Sequence, residues 1–196
     1  MKGLIKKSMT VIALAVAIGM SYANEVSPNS NTGNLTRLTF ENVKVGEVVQ
    51  IKDMNGLILY KEAVEKAGYY SKDFDLTSLP NGDYLFELDK IVEIVEIPFA
   101  VSNSEVVFKK EFKKSIFKPM VYVKNGKMHV TKLALNNEAM EVIIYFENTD
   151  RVLTDVISER KDDALGKVYD FKGSEKGQYT VVVRSEGRRF VNQVRI

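Results

Sequence analysis

The sequence predicts an all-β chain built as two antiparallel β-sandwiches in tandem. Three observations predict it. Most segments after residue 35 alternate apolar and polar residues with a period of two, which sets one group of side chains on one sheet face. Turn signals part these segments at Asn55-Gly56, Pro80-Asn81-Gly82 and Asn125-Gly126. The chain also matches itself at a shift of 95 residues, which pairs Gly82 with Gly177 and Tyr84 with Tyr179.

Residues 1–23 read as a signal peptide. Lys2, Lys6 and Lys7 form a positive start, and residues 9–20 (MTVIALAVAIGM) form an apolar run too short to span a bilayer, which takes ~20 residues. Ser21-Tyr22-Ala23 sets small residues where signal peptidase needs them, so cleavage is expected after Ala23, leaving no transmembrane segment. The full chain carries 28 basic and 26 acidic residues; removing three lysines leaves the mature chain close to neutral. That balance argues against nucleic acid as a partner. The chain has no cysteine, which excludes disulfides, thiolate catalysis, thiolate–zinc sites and iron–sulfur clusters. Residues 24–34 (NEVSPNSNTGN) are polar and read as a disordered leader.

Within the first sandwich, 35–115, Val49 and Ile51 alternate with Gln50 and Lys52. Tyr84, Phe86 and Leu88 alternate with Leu85, Glu87 and Asp89. Residues 62–67 (EAVEKA) are the one helix candidate and read equally as a loop. In the second sandwich, 116–196, Phe190, Asn192, Val194 and Ile196 alternate with Val191, Gln193 and Arg195. The 95-residue shift, taken without a gap, also pairs Leu38 with Leu133, Val49 with Ile144 and Ile51 with Phe146. It pairs Phe74 with Tyr169 and Asp75 with Asp170 as well. Residues 109–118 (KKEFKKSIFK), half of them lysine, read as a solvated linker near the boundary.

The repeated stretch reads as a structural corner. Gly82 and Gly177 are expected to supply a positive φ at the end of a turn. Tyr84 and Tyr179 then open a strand, as in the tyrosine corner of immunoglobulin-like sandwiches, where the ring packs inward and the hydroxyl bonds upstream backbone. Phe86 and Val181 stand where antibody domains carry a cysteine, so apolar packing replaces a disulfide there. The fold class is therefore two Ig-like antiparallel β-sandwiches.

Residues 48–88 (VVQIKDMNGLILYKE…DFDLTSLPNGDYLFEL) resemble the C-terminal sorting domains of type IX secretion cargo, and small secreted Ig-like domains. The matching positions are Asp53, Gly56, Leu76, Leu79, Pro80, Gly82 and Tyr84. The resemblance implies an Ig-like fold and, as one alternative, contact with secretion machinery. The match lies in mid-chain, and the end of the chain, FVNQVRI, lacks the Lys-ending strand common in that family.

No catalytic, metal-binding or cofactor-binding set is expected. His129 is the single histidine, on a predicted strand, and reads as structural rather than as a general base or ligand. Asp53-Met54-Asn55-Gly56 lacks the later ligands of a calcium loop and reads as a hairpin turn of type I′. Asp162-Asp163 and Glu93 with Glu96 are acidic pairs without the cleft that glycoside hydrolysis needs. Tyr69, Tyr70, Tyr122 and Tyr145 could stack on sugars or serve the sandwich. The expected function is that of an exported, non-enzymatic module binding a protein or glycan of the cell envelope. The alternative is a sorting signal in the second domain.

Overall fold

The computed structural model of the chain describes residues 6–8, 29–32, 35–147 and 150–196. Most of the expected signal peptide, its cleavage point included, lies outside the described residues. The strands run, in order, Lys6–Ser8 (β1), Asn29–Thr32 (β2), Leu35–Val43 (β3), Val48–Asp53 (β4) and Ile58–Ala63 (β5). Gly68–Phe74 (β6), Gly82–Asp89 (β7), Glu93–Ser102 (β8), Glu105–Phe108 (β9) and Lys114–Phe117 (β10) follow. Then come Met120–Lys124 (β11), Lys127–Leu133 (β12), Met140–Phe146 (β13), Asp150–Ile157 (β14) and Arg160–Lys161 (β15). Ala164–Asp170 (β16), Gln178–Ser185 (β17) and Arg188–Arg195 (β18) complete the chain. It divides into two compact units that part between Ile116 and Phe117.

In the N-terminal unit one sheet has the order β2-β3-β6 and the other β10-β8-β7-β4-β5, with β9 also on β8. Leu38, Phe40 and Phe74 of the first sheet meet Val49, Ile51, Tyr84, Phe86, Leu88 and Phe99 of the second in one core. Two sheets sharing one apolar layer make a sandwich, and the period-two alternation is what supplies that layer. In the C-terminal unit the orders are β11-β12-β16, with β15 and β1 on β16, and β14-β13-β17-β18. Met128, Val130 and Tyr169 there face Val142, Ile144, Tyr179, Val181 and Val183.

The two units are copies of one topology. Strands β3, β4, β5, β6, β7 and β8 correspond to β12, β13, β14, β16, β17 and β18, with the same neighbours in each sheet. Even the irregularities repeat. A register shift falls between Ile51 and Lys52 on β4, and another between Ile144 and Tyr145 on β13, at the corresponding rung.

The ladders also correct the gap-free alignment. Leu88 pairs with Val49 and Val183 with Val142, so Val49 corresponds to Val142 and Ile51 to Ile144, not to Ile144 and Phe146. Lys72 pairs with Leu38 and Lys167 with Val130, so Leu38 corresponds to Val130, not Leu133. The second copy thus carries one extra residue between its first two shared strands and two more before β16. Connections absorb insertions that a ladder cannot, because a one-residue slip turns every side chain to the wrong face.

Other expectations change as well. The helix candidate is absent: residues 62–63 end β5, and Gly68 opens β6. Part of the expected leader, Asn29–Thr32, pairs with β3. The lysine-rich run is no linker. It forms a single 3-10 turn at Lys110–Phe112 and then β10 on the edge of β8, with Ile116 only 1% exposed. Asn125 and Gly126 both have positive φ, as a type I′ hairpin requires. At Asp53–Gly56 only Gly56 does, and Asp53 N–H reaches Leu57 O at 3.0 Å. That is a three-residue hairpin loop rather than type I′, and the Asp53 carboxylate holds it by accepting from Asn55 and Leu57 N–H.

Candidate functional site

The repeated corner is built the same way in both units. Asp75 and Asp170 each accept a backbone N–H two residues on, from Thr77 at 3.2 Å and Lys172 at 2.9 Å. The next turn closes through Leu79 N–H to Leu76 O in one unit and Ser174 N–H to Phe171 O in the other. The Tyr84 hydroxyl donates to Pro80 O and the Tyr179 hydroxyl to Glu175 O, both at 2.7 Å. Phe86 and Val181, two residues on, are fully buried.

The glycines act differently from the sequence expectation. Neither Gly82 nor Gly177 has a positive φ, because each already lies extended against the neighbouring strand. Close approach explains the residue at one of them. A Cβ on Gly177 would stand 2.6 Å from Glu147 Oε1 and 2.7 Å from Phe146 Cε2, whereas one on Gly82 would meet the Tyr84 ring at an ordinary 3.7 Å.

The remaining sequence candidates take structural places. His129 stacks on Tyr122 with ring centroids 4.7 Å apart and planes within 2°. Burial first, then Lys124 and Lys127, hold its pKa below the ordinary value. Asp162 and Asp163 are the two corner residues of the β15–β16 hairpin, both with positive φ. Glu93 is paired with Lys90 at 3.1 Å. Glu96 faces Glu87 across the ladder, and Glu87 is bound by Lys52 at 2.7 Å. Tyr69 is exposed, and Tyr145 lies partly buried on β13.

Because the fold is present twice, each copy shows what the other does not need. Strands β5 and β6 of the N-terminal unit bring Tyr60, Glu62, Tyr70 and Lys72 together. Glu62 Oε2 accepts from the Tyr60 hydroxyl, from Tyr70 at 3.0 Å and from Lys72 at 2.8 Å. Lys72 also donates to the Tyr60 hydroxyl at 2.6 Å and stands 5.0 Å from the centre of that ring. The Lys72 hydrogen bond, then that of Tyr60, holds the Glu62 carboxyl below the usual carboxylate range. Burial, then Glu62, pushes the Tyr70 hydroxyl well up. Lys72 and Glu62 remain 40% and 34% exposed, so the charged pair meets solvent.

At the corresponding rungs the C-terminal unit has Leu153 for Tyr60, Asp155 for Glu62, Leu165 for Tyr70 and Lys167 for Lys72. The fold is satisfied there by two leucines, one of them fully buried. Sequence periodicity could not find this cluster, since Tyr60 and Glu62 share one strand face but meet Tyr70 and Lys72 of the other sheet.

The reverse asymmetry occurs at Phe40, whose counterpart is Lys132. The Lys132 side chain is wholly buried and bonds Glu186 at 2.5 Å, and Asn136 donates to the other Glu186 oxygen at 2.8 Å. Among the described residues no group of three or more acids and histidines could hold a metal ion.

No family model matches the chain, and no curated protein matches it. Among solved structures it is similar to the BSP domain of a biofilm associated protein, at 13% identity and a TM-score of 0.29, over 84% of this chain and 27% of that one. It is similar to a tetra-tandem repeat from the extending region of a large adhesion protein, at 15% identity and a TM-score of 0.29, over 83% and 45%. A third likeness is to the human OSCAR ligand-binding domain, at 11% identity and a TM-score of 0.26, over 83% and 89%. The chain spans about a quarter of the first structure and under half of the second. By its own sheets and cores the chain is a tandem pair of antiparallel β-sandwiches.

Proposed function

We propose that this protein is an exported, non-enzymatic interaction module of the cell envelope or extracellular space, and that it takes a glycan at the Tyr60–Glu62–Tyr70–Lys72 cluster. One observation carries the reading: the cluster sets two tyrosines round its charged pair where the duplicate, with Asp155 and Lys167 at the charged positions, has Leu153 and Leu165. The carboxylate can accept from sugar hydroxyls and the ammonium beside it can donate to them, and the part-exposed tyrosine rings add apolar surface for a sugar to contact. Both charged groups are partly solvent-facing, so a ligand can reach them.

The duplicate also supplies the test. Tyr60→Leu with Tyr70→Leu installs residues that the same fold already accepts. Wild-type protein is expected to bind members of a cell-envelope glycan panel, and the double variant to bind at least ~10-fold more weakly while melting within a few degrees of wild type. A wild type that captures no glycan, or a variant that binds equally well, overturns the reading.

The competing reading is a sorting role for residues 116–196. In the N-terminal unit the motif that suggests it is occupied by the fold, since Leu76 is buried and Tyr84 bonds Pro80. Fusing residues 116–196 to an exported reporter in a host with a type IX system decides the matter. Periplasmic retention removes the sorting role.

A further inference from the structure

The same comparison of copies points to a second site, independent of the glycan reading, at one end of the C-terminal sandwich. A cleft of about 430 Å³ lies there, between the β11–β12 hairpin and the loop that follows β16. Its size falls in the range of small-ligand sites. Lys127, Lys172 and Lys176 line it, together with Asp170 and Ser174. None of the three lysines has an ion-pair partner among the described residues. The Ser174 hydroxyl oxygen is enclosed and has no hydrogen-bond partner among the described residues. Asp170 also lines the cleft, and one of its oxygens is engaged by Lys172 N–H at 2.9 Å.

The N-terminal copy shows that the fold asks for none of this. By the ladder register, Lys127 stands where that copy has Leu35. By the shared corner, Lys172, Ser174 and Lys176 stand at Thr77, Leu79 and Asn81. Leu79 packs on its core, and the Asn81 side chain accepts from Asn103 N–H. The C-terminal copy has exchanged an apolar contact for a hydroxyl with no partner, and three uncharged residues for three cations. A buried hydroxyl left unpaired is unfavourable until a partner arrives, and like charges gathered round a concavity repel until an anion sits among them.

We propose that this cleft binds a compact oxyanion of the phosphate class, carried on a sugar or free. The side chains that line the cleft set three ammonium groups against one carboxylate, a net positive set suited to an anion. Lysines supply the charge, and the Ser174 hydroxyl donates to one oxygen.

The test is an amide NMR titration of the full mature chain at constant ionic strength, with inorganic phosphate, glucose 6-phosphate and glucose as three arms. Saturable shifts confined to residues 125–127 and 171–176 are expected with both phosphates and not with glucose. Tighter binding of the sugar phosphate assigns the site to a phosphorylated glycan; equal binding assigns it to the free anion. The variant Lys127→Leu/Lys172→Thr/Lys176→Asn, which carries the first copy's residues, is expected to bind at least ~10-fold more weakly. Ser174→Ala is a milder change expected to weaken binding without removing charge. Non-saturating shifts, shifts spread over the chain, or an equal response to glucose overturn the proposal whether or not the triple variant folds.

Discussion

Gly82 and Gly177 hold equivalent places in the two copies, yet alanine is expected to move stability in opposite directions at the two. Neither residue needs a positive φ, so the backbone conformation suits alanine at both. At Gly82 the new methyl touches the Tyr84 ring at 3.7 Å, an ordinary contact. Alanine there limits only the unfolded chain, and a gain of about 0.4–1 kcal/mol is expected. At Gly177 the methyl meets Glu147 Oε1 at 2.6 Å and Phe146 at 2.7 Å. Glu147 can swing away, at the cost of its bond to Gln178 N–H. The Phe146 ring has less freedom, since it packs against Tyr179 with centroids 5.0 Å apart. Forcing atoms into a filled site costs about 1–3 kcal/mol. In a unit of about 80 residues, 1 kcal/mol moves the melting temperature by about 4–8 °C. Calorimetry of the full chain measures this, with hydrogen exchange assigning each transition to its unit. Shifts of the same sign at the two positions, or a Gly82→Ala as damaging as Gly177→Ala, would refute the close-approach reasoning.

Four further outcomes are expected. Tyr84→Phe and Tyr179→Phe each lose one hydrogen bond to backbone, which in urea melts is worth about 1 kcal/mol or less; Tyr84→Ala, which empties part of the core, costs about 3–5 kcal/mol. Ser104→Gly relieves a serine held at φ 62° in the β8–β9 hairpin, worth about 1–2 kcal/mol, against about 0.4–1 kcal/mol lost to the freer unfolded chain, so the same melts are expected to show a net gain of up to about 1 kcal/mol, and a net loss counts against the strained turn. Lys132→Ala strands Glu186 without its buried cation and costs about 3–5 kcal/mol, read as a lowered denaturant midpoint of the C-terminal unit. Glu62 has a folded pKa below its unfolded one, so its contribution is whole above the usual carboxylate range and is lost as pH falls through the depressed value. Glu62→Gln is therefore expected to flatten the acid limb of the N-terminal unit's stability profile, and an unchanged limb in acid-range urea melts counts against the cluster.

Local chemistry made much of this fold legible in the sequence. Period-two alternation marks β7 and β18 because a strand must turn alternate side chains to one face, and Tyr84, Phe86 and Leu88 do so. Asn125-Gly126 marks its hairpin because few residues accept positive φ at both corners. The duplication shows because the corner from Asp75 to Tyr84 is held by short-range bonds that keep their spacing in any copy.

What the sequence by itself determined is therefore the class, the tandem order and the residues at the corners. The tertiary structure decided what depends on partners far along the chain. It set the true register of the copies, because only a ladder shows where insertions fall. It made the lysine-rich run an edge strand, because β8 offered an open edge to pair. It replaced positive φ with close approach at Gly177, since the obstacle is Phe146 from another strand. It also gathered Tyr60 with Tyr70, and Lys127 with Lys172 and Lys176, from strands and loops that are neighbours only once the sheets have formed. Side chains that meet across sheets or between loops leave no period in the sequence, and both proposed sites are of that kind.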